Sequence, residues 1–118
     1  MTKGQIEAKI SDAVSKFEVE YMGRGPKEIR TIINQDLIIV RIKGVLSISE
    51  QKLSETSQGI KLIKEMRTAL FESAREYLES IIKPIIKANI ISTYCDVSTK
   101  TGEKIIVITA EKNLEMQQ

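Results

Sequence analysis

The stretch EIRTIINQDLIIVRIKG, Glu28 to Gly44, reads as two short strands joined by a tight link. In Glu28–Asn34, Ile29 and Ile33 fall on one side and Glu28, Arg30 and Ile32 on the other. In Leu37–Lys43, Ile38, Val40 and Ile42 share one face, with Leu37, Ile39, Arg41 and Lys43 opposite. Alternation of this kind is the mark of a half-buried strand, and only antiparallel strands can be joined by a link as short as Asn34-Gln35-Asp36.

Upstream, residues 5–22 carry Ile6, Ile10, Val14, Phe17 and Tyr21 at spacings of four and three, with charged residues on the other faces, which predicts an amphipathic helix. Gly23-Arg24-Gly25-Pro26 stops it, since glycine permits positive φ and proline cannot continue a helix. Downstream, Ser47-Ile48-Ser49-Glu50 has the spacing of a capping box. A helical stretch follows to about Ala88, expected to break or bend near Ser57-Gln58-Gly59 and to kink or end at Pro84. Ile90–Val97 and Lys104–Ala110 form a second hairpin around Ser98–Glu103, and the polar tail from Glu111 is expected to fray. The order α-β-β-α-α-β-β is that of an α+β fold: an N-terminal helix, two hairpins in a small antiparallel sheet, and a long central helical segment on one face.

The chain has 118 residues, the size of a single domain spanning 1–118. It has no histidine, which removes the commonest general base and metal ligand, so neither a metal site nor a cofactor is expected. The single cysteine, Cys95, cannot form an internal disulfide and fits a reducing cytoplasm; without a histidine to activate it, it reads as a small half-buried strand residue. The longest unbroken aliphatic runs, Leu37–Val40 and Ile105–Ile108, fall far short of the roughly 20 residues a spanning helix needs, so direct membrane insertion is not expected. No arrangement of nucleophile, base and oxyanion donors is visible, and the chain is read as a non-enzyme.

Two places carry candidate binding chemistry. The first is Gly23, Arg24, Gly25, Pro26 and Lys27, where exposed backbone amides and two basic side chains could take a small anion or nucleotide. The plainer reading is a helix stop. Residues 23–46 hold five basic against two acidic residues, yet none of the chain's five aromatics lies there, so base stacking has no support and nucleic-acid binding is disfavoured. The second is Arg67, which projects inside the apolar stripe Ile60, Ile63, Met66, Leu70, Phe71, Ala74, Tyr77, Leu78, Ile81 and Ile82. A guanidinium there needs a carboxylate or carbonyls, and Asp96, the only acid of Ile90–Ser98, is the expected partner.

The stripe spans roughly 160°, wider than the 100° or so that packing on one core requires. Helix 60–88, if continuous, would measure about 44 Å and overhang a compact domain of this size. Together these predict a homodimer paired through these helices, with the seam Ile6-Ile10-Val14-Phe17-Tyr21 packing within the chain or against a symmetry mate; the alternative is a monomer whose first helix lies over the long one.

Four segments in order resemble the MpsC-like family: the helix ending in Gly23-Arg24-Gly25-Pro26; Gly44-Val45-Leu46-Ser47 followed by Glu50 and Leu53; Gly59 before a helix carrying Met66-Arg67; and Asp96-Val97 before a final aliphatic strand. The similarity runs from about Ile6 to Ile108. The resemblance implies an accessory component of a sodium-translocating, membrane-potential-generating system, without a known reaction. Gly23, Arg24, Gly25, Pro26, Arg67 and Asp96 match the family pattern, with no role attached to any of them. A chain that cannot itself cross a bilayer would then be a cytoplasmic docking or regulatory module with a membrane-protein partner.

Overall fold

The computed structural model describes residues 1–116. The elements are α1 (Lys3–Met22), β1 (Glu28–Asn34), β2 (Leu37–Lys43), α2 (Ile48–Leu53), α3 (Ser57–Ile86), β3 (Ile90–Val97) and β4 (Lys104–Ala110), followed by a single 3₁₀ turn, Leu114–Met116. The four strands form one antiparallel sheet in the order β1-β2-β4-β3, so each hairpin supplies one central and one edge strand. This is the α+β arrangement expected, with all four strand ranges as read from the alternation.

The core lies between one face of the sheet and the two long helices. Ile33, Ile38, Val40, Ile42, Ile106 and Ile108 supply the sheet side; Ile6, Ile10, Val14 and Phe17 supply α1. The buried row of α3 is Gly59, Ile63, Arg67, Phe71, Ala74, Leu78, Ile82 and Ile86, spaced by four and once by three. That row is narrower than the expected stripe: Met66 and Tyr77 are 48% and 40% exposed. The difference follows from packing, because α3 meets α1, β3 and α2 along one side and leaves Met66 and part of Tyr77 outside those contacts.

The helix boundaries show what local chemistry does. Thr2 caps α1 through a reciprocal box with Gln5, which starts the helix at Lys3, two residues before the expected start. The break between α2 and α3 falls at Ser54–Thr56, just before the expected place, and Thr56 caps α3 by accepting from the Gly59 amide at 3.0 Å. Gly59 is therefore a residue of close approach and not a breaker: a Cβ there would lie 1.7 Å from the Leu53 carbonyl oxygen. Pro84 is exposed in the last turn of α3, which runs only two residues further and ends at Lys87 in the left-handed region. Removing one hydrogen bond so near the end shortens the helix without dividing it.

Two expectations are corrected. The tail does not fray through residue 116: Leu114 is buried, Glu115 accepts from the Gln35 amide and from Lys3 Nζ, each at 2.8 Å, and the Leu114 amide donates to the Gln35 carbonyl. Nor is most of the α1 seam open to a symmetry mate, since Ile6, Ile10, Val14 and Phe17 are buried within the chain, whereas Tyr21 on α1 and Leu62, Met66 and Tyr77 on α3 stay partly exposed. The long helix is accommodated by shape, the molecule measuring 47 × 23 × 22 Å.

Gly23 holds φ +84° as the C-cap of α1, whereas Gly25 lies outside the left-handed region and a Cβ there meets only Val19 at 3.5 Å. Gly23→Val is therefore expected to cost about 1–2 kcal/mol and Gly25→Val no more than about 0.5, as read by chemical denaturation.

Candidate functional site

Two of the residues singled out in the sequence, Arg24 and Arg67, converge on the loop Gly44–Ser47 that enters α2. Val45 and Leu46 are buried there, and their carbonyls need donors. Arg67, on the third turn of α3, sends Nη2 to the Val45 carbonyl at 2.9 Å. Arg24, just past α1, sends Nη1 to the Leu46 carbonyl at 3.1 Å, where the Gln51 side-chain amide also donates. Thus Arg24, the segment Gly44–Gln51 and Arg67, separate in the chain, form one structural node.

The carboxylate of the node is Glu50. It accepts from Arg67 through both oxygens, Nε to Oε2 and Nη2 to Oε1, each at 2.7 Å. Oε1 also accepts from the Ser47 amide, closing the capping box of α2. Arg67 is 8% exposed, as a paired interior guanidinium must be, but its partner is Glu50 and not Asp96. Asp96 is exposed on edge strand β3 and takes Lys64 Nζ at 2.7 Å through Oδ1, the oxygen that also accepts from the Val97 amide. The expected pair failed because α2 sits between loop and helix and brings a nearer acid than the strand does.

A second interior pair went unread. Lys104 Nζ lies 2.7 Å from Glu18 Oε2, with both side chains almost wholly buried, and the ammonium sits 5.6 Å from the centre of the Phe71 ring. The signals were present: Lys104 is in phase with the inward residues Ile106 and Ile108, and Glu18 stands one turn after Val14. Between the two pairs lies a cavity of about 30 Å³, lined by Arg67, Phe71, Cys95, Asp96 and Lys104 among others, with room for little more than a water molecule. Burial pushes the Cys95 thiol up to about 11, so it stays protonated and unreactive at neutral pH.

Part of the positive charge of the first hairpin is also engaged. Arg41 Nε meets Glu103 at 2.6 Å and Lys43 meets Glu28 at 3.5 Å, while Lys27 is exposed and Pro26 half-buried beside the turn. Among the described residues, no group of three or more Cys, Asp or Glu is placed to hold a metal ion, and no helix is long and apolar enough to cross a membrane.

A family model described as Na+-translocating membrane potential-generating system (MpsC) matches residues 2–112. The chain belongs to the MpsC family. It is 38% identical over 118 residues to an uncharacterized protein, YbcI, of Bacillus subtilis (strain 168), covering 97% of this chain and 95% of that one. A second relative, the uncharacterized protein YrhF of the same organism, is 21% identical over 112 residues, 93% of this chain and 91% of its own. No solved structure matches.

The two interior pairs make separate predictions. Lys104→Met strands the buried Glu18 carboxylate and is expected to cost about 3–5 kcal/mol, with part recovered when Glu18→Leu is added. Denaturation of the single and double variants measures both. For Glu50, burial pushes the carboxyl up, but hydrogen bonds from Arg67 and from Ser47 outweigh it and hold the group below its ordinary 4.5. A lowered folded pKa means the pair's stabilisation is full above the unfolded value and is lost as pH falls through the folded one. Wild type should therefore weaken progressively below about pH 4.5, and Glu50→Gln should flatten that limb of a stability-versus-pH curve.

Proposed function

We propose that this MpsC-family domain is a non-enzymatic, cytoplasmic accessory module that serves a sodium-translocating membrane system by binding a protein of it. The observation that carries the reading is the state of the interior charges. Arg67 and Glu50, and Lys104 and Glu18, neutralise each other at 2.7 Å, and Cys95 is held as the thiol. Groups so engaged hold a shape and offer no base, nucleophile or open electrophilic donor to a substrate. The family's printed description supplies the membrane system, and the lack of a spanning helix among the described residues makes a separate membrane partner necessary to the reading. The alternative of a small-anion or nucleotide sensor at the Gly-Arg-Gly-Pro turn or Arg67 is less well supported, since both guanidiniums already serve backbone carbonyls of one loop.

Deletion of the gene in its own host tests the proposal. Cells are expected to lose membrane potential, read with a potential-sensitive dye, when sodium is raised and not when potassium replaces it. The wild-type gene should restore the signal, and so should Cys95→Ser. A potential that is unchanged by deletion in sodium overturns the proposal. So does loss of complementation by a folded Cys95→Ser protein.

A further inference from the structure

We propose that the uncovered face of the sheet seats a second copy of this chain, packed strand over strand about a twofold axis that lies in the interface and runs along the strands. The inference goes beyond the accessory reading and stands without it. Both long helices cover one side of the sheet, so residues of opposite phase face away from them. Register then fixes what that outer face presents. Across all four strands runs an unbroken apolar row in which Ile32 faces Ile39, Ile39 faces Val107, and Val107 faces Tyr94. Ile105 and Leu37 widen it on either side. Ile32 is 38% and Tyr94 59% exposed, and Ile39 and Val107 are half-buried only by their strand neighbours. Single exposed apolar residues need no explanation, but a contiguous band across a sheet does.

The charges select the occupant. Beside the apolar row lies the row Arg30, Arg41, Ile105, Asp96, with a base on edge strand β1 and an acid on edge strand β3. Arg41 is already engaged with Glu103. Arg30 has no ion pair among the described residues, and Asp96 accepts only through Oδ1, leaving Oδ2 without a bond among them. Rotation about an axis along the strands keeps height and exchanges edges, so β1 lies over β3 of the second copy. Arg30 then meets Asp96 of the second copy, Ile32 meets Tyr94, and Ile39 meets Val107, twice over by symmetry. An axis across the strands would instead set Arg30 above neutral Asn34 and leave the guanidinium unanswered. Aligned sheets cross at about 30°, which at an edge strand about 7 Å from the axis moves the row by about 4 Å, within an arginine's reach.

Area is sufficient for a modest dimer. Four strands of about seven residues give a footprint near 19 × 24 Å, so the pair buries roughly 1,000 Å², the lower bound of a specific interface. Association should therefore depend visibly on concentration.

Sedimentation of the full chain tests this. The mass is expected to rise from 13.3 kDa towards twice that value across the micromolar range. Arg30→Asp should weaken association at least about tenfold, and Asp96→Arg added to it should restore most of the loss. Val107→Lys should abolish association; if circular dichroism shows it unfolded, exposed Tyr94→Lys carries the same expectation. A wild-type mass fixed at 13.3 kDa overturns the proposal, as does a dimer indifferent to the charge reversal or not rescued by the double exchange.

Discussion

The guanidinium of Arg67 is the constraint on which the rest of the domain depends. It is buried in the contact row of α3, and an interior charge of that kind is tolerated only when answered completely. Answering it takes both oxygens of Glu50 and the Val45 carbonyl, which fixes the short helix α2 and the loop before it against α3. The same loop receives Arg24 from the end of α1, so the first hairpin, the short helix and both long helices are tied at one point. Hydrophobic burial alone would allow α2, which has no buried residue of its own, to drift. Here directional bonds place an element that packing cannot.

The remaining half of the core is organised by a pair of a different kind. Lys104 and Glu18 join central strand β4 to α1 through a contact wholly out of water. Such a pair adds little net stability over apolar residues of like volume, but it penalises every arrangement that separates the two groups. A strand slipped by one residue would turn Lys104 outward and leave Glu18 alone in the core. The pair therefore specifies register, in the strand where Ile105 and Ile106 differ too little to do so.

How much of this could be read from the chain depends on the range of the interaction concerned. Strand phases, the stop at Gly23 and the capping box at Ser47 are set by neighbours in sequence, and the structure has them where alternation and spacing put them. Arg67 was legible as an anomaly because its burial follows from helical phase, yet its partner was not, since choosing Glu50 over Asp96 needs the position of α2. Glu18 and Lys104 each lie in phase with buried neighbours, but 86 positions separate them and neither is odd by itself. The docked tail depends likewise on Glu115 reaching the distant Gln35 turn.

The two faces of the sheet show where selection for shape stops and selection for contact begins. On the inner face every charge has a partner within the chain, and the alternation Lys104, Ile106, Ile108 is closed against the helices. The outer face has the same strands and the same pairing, yet it presents isoleucine, valine and tyrosine to water beside an arginine with no counter-ion among the described residues. An antiparallel sheet with one helical layer commonly carries polar residues on its open face, and the modest gain from cross-strand apolar pairs does not by itself call for a band across all four strands. Their place in a single transverse row, together with opposite charges on opposite edge strands, is what a surface needs in order to be complementary to itself when inverted. Folding therefore accounts for the inner face, and the self-association we propose would account for the outer one.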